Sequence, residues 1–305
     1  MPDLDASLPT LRQLELFLSL ASAESIAAAG SRLGMTASAT SHSLRALEDA
    51  LGAAVVDRNA PAVALTHAGQ EILPHVRDVF ASLRLIQTTA SASAGLKTGL
   101  LRLGSFGASS SLKLLPPLLE TFKARYPGVD VFVTEKADTE IALDLTERRI
   151  EIGVVTLPRP EFDTQVLAVD ELVAVLPEAH PLAKLSVVSV KQLGEYPLVL
   201  THAGSQGLVA RMFTRAGVRP RVAHDLTQLL SILEFVARNQ GVSVIASLAL
   251  PDTHPGVVYR RMSPQTSRRV GLACLNERRL SPAAHAFWSL VRKSPARQAV
   301  QRLAK

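Results

Sequence analysis

SIAAAGSRLGMTASATSHSLRALEDALG, residues 25–52, holds two short helical patterns separated by a tight turn. Ser25 can cap a helix that runs through Ala27, Ala28 and Ala29 to Leu33. Gly34 breaks it, and Thr36 can cap a second helix through Leu44 and Leu47 to Leu51 and Gly52. A small, alanine-rich first helix lets the second pack closely, and the short turn between them fits a helix-turn-helix. Upstream, Thr10 and Gln13 make a capping box, after which Leu11, Leu14, Phe17, Leu18 and Ala21 recur at helical spacing.

Downstream, a short extended piece, Val63-Ala64-Leu65, leads to a long helix that starts near Thr66. Its apolar positions Ile72, Val76, Val79, Leu83 and Ile86 follow heptad spacing, which predicts a seam against a partner helix and hence a dimer. Packing on its own domain is the alternative. Pro74 removes one backbone bond inside this helix and is expected to bend it. Ser91 to Gly99 is small-residue chain suited to a linker.

Beyond the linker, strand and helix patterns alternate. Strands are predicted at 100–103, 129–134, 152–155, 172–176, 198–200, 242–245 and 269–274. Helices are predicted at 111–126, 139–148, 205–216, 227–239 and 281–300. Such alternation predicts a mostly parallel α/β sheet with helices on both faces.

With 305 residues, 47% of them hydrophobic, the chain can build two or three cores without disulfide or metal staples. Its apolar runs fall short of the roughly 20 residues of a membrane span, and MPDLDASLPT is no secretory leader, so a cytoplasmic protein away from membranes is expected. The single cysteine, Cys274, lies among Leu272, Ala273 and Leu275 and is expected to be a buried strand thiol, not a redox sensor. The net charge of +6 suggests nucleic acid until it is mapped. Residues 1–95 carry −3, whereas residues 260–305 carry +10. Arg260, Arg261, Arg268, Arg269, Arg278 and Arg279 are therefore expected on solvated faces or subunit contacts.

Enzyme signatures are scarce. There is no GxxxxGK[ST], no GxGxxG after a strand, no HExxH and no paired Cys/His spacing, so neither metal nor cofactor is expected. Ala203-Gly204-Ser205-Gln206-Gly207 is similar to a nucleophile elbow with Ala for its first Gly, and Asp225 or Asp252 with His254 or His285 would complete a triad. An acyl hydrolase using Ser205 is thus one alternative. A Gly/Ser turn opening a helix also suits anion binding or capping.

In order and register, Leu11-Arg12-Gln13-Leu14-Glu15-Leu16-Phe17, Ser25-Ile26-Ala27-Ala28-Ala29, residues 41–52, Asp57-Arg58 and Leu65-Thr66-His67-Ala68-Gly69 resemble the winged helix-turn-helix of LysR-type transcriptional regulators. Leu101-Arg102-Leu103-Gly104, Phe122 to Tyr126-Pro127, Gln240-Gly241-Val242-Ser243-Val244 and Ser281-Pro282-Ala283-Ala284 look like that family's effector domain. The resemblance covers essentially the whole chain.

It implies a winged helix-turn-helix at 1–66, a linker and dimerisation helix at 67–95, and a two-subdomain α/β effector domain at 96–305, like a periplasmic binding protein. Subdomain I would be 96–166 with 269–305, and subdomain II 167–268, with crossovers near Val166–Asp170 and Met262–Arg268. The implied partners are double-stranded DNA with a partly palindromic operator, a small-molecule effector, a second copy through the linker helix, a tetramer built from two such dimers, and RNA polymerase. A solute-binding protein is a further alternative, disfavoured by the helix-turn-helix and the missing leader.

The resemblance assigns Thr36, Ser38, Ala39, Thr40, Ser41, His42 and Arg45 to DNA contact. For Thr36, helix capping is the alternative, and it is compatible with binding DNA. Arg58 stands where the wing begins, but Asn59 to Ala64 has no basic residue, a departure from the family. For the effector, residues 105–110 and 201–205 each follow a strand and open a helix, where free N–H groups face a crevice. Ser105, Phe106, Ser109, Ser110, Thr201, His202 and Ser205 are the candidates, with Thr227 at a third helix start. Their hydroxyls favour a small carboxylate or another anion.

Overall fold

The computed structural model describes residues 8–57, 63–92, 98–201 and 205–293. They fall in two compact units that meet in sequence at Ile86 and Gln87.

In the first unit, α1 (Leu11–Leu20), α2 (Ile26–Arg32) and α3 (Ala37–Leu51) each begin at the predicted hydroxyl. Thr10 Oγ1 accepts from the Gln13 N–H at 3.3 Å while Gln13 Oε1 accepts from the Thr10 N–H at 2.7 Å. Ser25 Oγ takes the Ala28 N–H at 3.0 Å, and Thr36 Oγ1 takes that of Ala39 at 3.2 Å. Each such cap is worth about 1 kcal/mol. Gly52 closes α3 at φ 65°, a left-handed conformation that a side chain would strain. Leu16, Phe17 and Leu20 of α1 meet Ala29 of α2 and Leu44 and Leu47 of α3 in one core.

β1 (Val56–Asp57) and β2 (Ala64–Leu65) pair antiparallel as the base of a wing. Thr66 then caps α4 (His67–Ala92), its Oγ1 accepting from the Gly69 N–H at 3.0 Å. The heptad seam divides along this helix. Val76 is buried in the first unit's core with Ile72 packed beside it, whereas Val79 is 39% and Ile86 65% exposed. The predicted linker helix is therefore, over its first turns, a wall of the winged-helix core.

The second unit opens with β3 (Gly99–Phe106), followed by a π-helical turn at Ser109–Leu114 that continues into α5 (Leu115–Arg125). Next come β4 (Val129–Lys136), α6 (Asp138–Thr146), β5 (Ile152–Leu157) and β6 (Asp163–Pro177). β7 (Val187–Ser189), α7 (Val190–Leu193), β8 (Leu198–Thr201), α8 (Gln206–Arg215) and β9 (Val222–Leu226) lead to α9 (Leu229–Ala237) and β10 (Ser243–Ala246). The chain returns through β11 (Val257–Ser263) and β12 (Ser267–Cys274) to α10 (Pro282–Lys293). Of the helix predicted at 281–300, positions 294–300 lie outside the described residues.

The sheet corrects one expectation. It is mixed, in the order β4-β3-β5-β12-β6-β11-β7 with β10 also on β6, not mostly parallel. Parallel pairs do occur, as β3 with β4 and β5, β7 with β11, and β8 with β9. β6, however, is a single strand of 15 residues that pairs with β12 over its first part and with β10 and β11 over its second. The chain leaves along β6 and comes back along β11 and β12, and two crossings in opposite directions laid side by side are antiparallel. One core packs β3, β5 and the start of β6 against α5, α6 and α10. On the other side of the switch at Glu171 and Leu172, the end of β6 packs against α8 and α9 in two further clusters.

Candidate functional site

Two surfaces have chemistry to offer, one in each unit. On α3, the residues at 40, 44, 47 and 48 turn inward at helical spacing. Thr36, Ser38, Ala39, Ser41, His42 and Arg45 are exposed on the remaining face. Thr40 corrects the prediction. It is fully buried, its Oγ1 donates to the Thr36 carbonyl at 2.8 Å, and it packs on Gly30 so closely that a Cβ at position 30 would collide with it. It packs α2 against α3 and is not on the exposed face of the helix. Arg58 lies outside the described residues, as does His202.

In the second unit, a cavity of about 330 Å³ opens between the π-helical turn, the start of α8 and the approach to α9. Phe106, Ser109, Thr201, Ser205 and Thr227 all line it, so the two predicted clusters do meet there. Thr227 does so from the loop before α9, because that helix starts at Leu229 with Gln228 as its cap. Ser105 and Ser110 do not line the cavity. Both are fully buried, with their Oγ atoms 2.7 Å apart, and Ser110 also ties the Phe106 N–H at 2.9 Å. These hydroxyls secure the end of β3 and the turn after it.

Arg268, which the charge map assigns to a solvated face or a subunit contact, lines this cavity too. It is 2% exposed. Its Nε donates to Asp170 Oδ1 at 2.9 Å and its Nη2 to Asp170 Oδ2 at 2.7 Å, a bidentate pair between residues directly opposite on β12 and β6. Nη2 also donates to Ser109 Oγ at 2.7 Å, and Nη1 to Ser205 Oγ at 3.2 Å. The Phe106 ring lies 5.6 Å from the guanidinium carbon. One side chain thus joins both serine clusters, and Asp170, which also accepts the Leu248 N–H at 3.1 Å, holds it in place.

Lys113, Ser111, Glu135 and Gln228 add to the polar lining. The Lys113 ammonium reaches Asp252 at 3.2 Å, and the Ser111 hydroxyl bonds Glu135. Leu112, Leu229, Leu230 and Leu250 supply apolar wall. The hydrolase alternative is not favoured at Ser205 itself. Its hydroxyl meets a guanidinium, which has no site to accept a proton, and neither candidate histidine lines this cavity; His254 lies 4.0 Å from Glu234, and His285 is in α10.

Cys274 is fully buried, and its thiol is pushed up to about 12, first by burial and then by the nearby carboxylates of Asp163 and Glu277. It stays a thiol at neutral pH and is chemically quiet. Among the described residues, no three His, Cys, Asp or Glu side chains are grouped to hold a metal, and no helix is long and apolar enough to cross a membrane.

Residues 11–70 match the model of the lysR-family bacterial regulatory helix-turn-helix protein, and residues 94–296 match that of the LysR substrate binding domain. A Bacillus subtilis (strain 168) protein described as the uncharacterized HTH-type transcriptional regulator YvbU is 28% identical, over 93% of this chain and 98% of its own. Among solved structures, full-length OxyR from Pseudomonas aeruginosa, in a cysteine-to-aspartate variant, superposes with a TM-score of 0.70 at 20% identity, covering 97% of both chains. The effector-binding domain of QuiR in complex with shikimate superposes with a TM-score of 0.57 at 22% identity, covering 63% of this chain and 94% of its own.

Proposed function

The chain belongs to the LysR family, as a DNA-binding transcriptional regulator with an effector-binding domain and not an enzyme, and from that premise we propose that a small organic acid switches it by binding beside Arg268. The observation that carries this reading is the direction of the hydrogen bonds. Ser109 and Ser205 both accept from the guanidinium, so each hydroxyl keeps its own proton to donate. Two O–H donors polarised by one cation suit an oxygen acceptor, above all a carboxylate. Because Asp170 already neutralises Arg268, discrimination rests on these donors and on Lys113 more than on net charge. The volume is within the roughly 300–1,000 Å³ of small-molecule sites, and the leucine wall takes an apolar body. Shikimate, the acid in the QuiR structure, is a ligand of this class.

The test is a panel of small carboxylates and their amides, followed by thermal shift and by operator retardation. Ser109→Ala with Ser205→Ala should lose the response to the active acid while operator binding persists. A normal response in that variant rejects the cavity.

At the DNA, we infer that Thr36, Ser38, Ala39, Ser41, His42 and Arg45 face the major groove, with hydroxyl and helix N-terminal N–H donors supplying much of the contact. Val79, Leu83 and Ile86 form the dimer seam, which two exposed apolar side chains in heptad register support. Sedimentation of Val79→Glu with Ile86→Glu should show dissociated protomers, and an unchanged assembly rejects the seam. This reading places the protein in the cytoplasm with its operator.

A further inference from the structure

A second cavity, of about 400 Å³, lies on the far flank of α8. Lys191, Arg211 and Arg215 stand around it, and no carboxylate is among its lining residues. Among the described residues, none of these three cations makes an ion pair. Val190, Leu208 and Met212 give the cavity an apolar wall, and Met212 is 4% exposed. Unneutralised cations around an apolar hollow attract a molecule that is charged at one end and greasy at the other. Inorganic phosphate would leave the apolar wall wet, and a neutral lipid would leave the cations unmatched.

We propose that this cavity is a second binding site, for an amphipathic organic anion such as a medium-chain or aromatic acid. Its position gives such a ligand a lever. Ser263, the last residue of β11, and Pro264, Gln265 and Thr266, the link from β11 to β12, line it just before Arg268. α8 carries Arg211 and Arg215 on the flank of this cavity, while Ser205, at the start of the same helix, lines the first. A ligand here touches both elements that position the Arg268 contacts.

The test uses anilinonaphthalene sulfonate, an aromatic sulfonate that brightens on leaving water, with the full-length protein. Saturable binding should weaken by about tenfold or more in Arg211→Gln with Arg215→Gln, since two charge-assisted contacts are lost. Arg211→Lys with Arg215→Lys should retain it, and Ser109→Ala should leave it within about twofold. Octanoate should displace the probe, and octylamine should not. Unchanged binding in the Gln variant overturns the proposal. So does loss in Ser109→Ala, which would put the probe in the first cavity, or displacement by duplex DNA in preference to octanoate, which would make the cations a phosphate contact. All the substituted arginines are exposed, so the folded state of each variant can be verified by its far-UV spectrum.

Discussion

Replacing Arg268 by Met tests the centre of the effector domain. Asp170, fully buried, accepts three hydrogen bonds, two from Arg268 and one from the Leu248 N–H. Arg268→Met removes two of the three and leaves a buried carboxylate without its cation. Breaking a buried pair from one side costs about 3–5 kcal/mol. For a unit of this size that is roughly 6–20 °C in Tm. Removing both charges, as Asp170→Leu with Arg268→Met, leaves no stranded ion and should recover most of the loss. The two variants and Asp170→Leu alone complete a double-mutant cycle, read by urea denaturation with tryptophan fluorescence, since Trp288 is buried in the effector domain's core. The double variant should nevertheless be blind to effector, because Ser109 and Ser205 lose the donor that orients them. A cost for Arg268→Met below about 1 kcal/mol, the range of an exposed pair, would refute the reasoning. So would a double variant no more stable than either single one.

Two further outcomes follow from the charge and burial maps. In the first unit Arg12 is tied to Glu15 and the Leu33 carbonyl, Arg32 to Ser22, and Arg77 and Arg84 also have partners, which leaves Arg45 as the described arginine free for phosphate. The dependence of log K on log salt should then have a slope smaller than about 3 per DNA-binding domain, falling by about 1 in Arg45→Ala; a steep slope indifferent to Arg45→Ala and Arg58→Ala contradicts it. For Cys274, the thiol raised from 9.0 to about 12 means that the fold favours the protonated form. That contribution to stability is complete below pH 9 and is lost as pH rises toward about 12, so native protein at pH 8 should resist a thiol reagent that labels it at once in denaturant. Labelling of the native protein at the denatured rate would show the burial to be wrong.

The elements with a strong local signal were readable from sequence, and the long-range ones were not. Thr10, Ser25, Thr36 and Thr66 mark helix starts because a capping hydroxyl acts within three residues of itself. The sense of the sheet depends instead on how β6 and its return strands lie, some hundred residues apart in the chain, and no local period encodes that. β9 shows the same limit from another side. Its residues are exposed or half-buried throughout, so no apolar alternation announces a strand. Thr40 is within reach of sequence reasoning, because it falls four residues before Leu44 and seven before Leu47, on the inward face of α3; the family resemblance puts it in the DNA-facing group, although its hydroxyl bonds back to its own helix.

Arg268 marks the same boundary at the proposed effector site. Adding charges over residues 260–305 treats every arginine as solvated, yet the carboxylate that neutralises this one is Asp170, far outside that window. A signal did exist. On β12, Arg268 falls in phase with the buried Val270 and Leu272, and on β6 Asp170 falls in phase with the buried Ala168 and Leu172. An ion placed in the apolar phase of a strand must meet its opposite or suffer a heavy loss of hydration. Two such residues of opposite sign on separate strands therefore imply that the strands are neighbours in that register. That rule pairs β6 with β12 and puts the guanidinium between the two serine clusters. The serines are then secondary. They attract the eye as helix starts, but their ability to donate toward a ligand comes from the arginine that occupies their lone pairs.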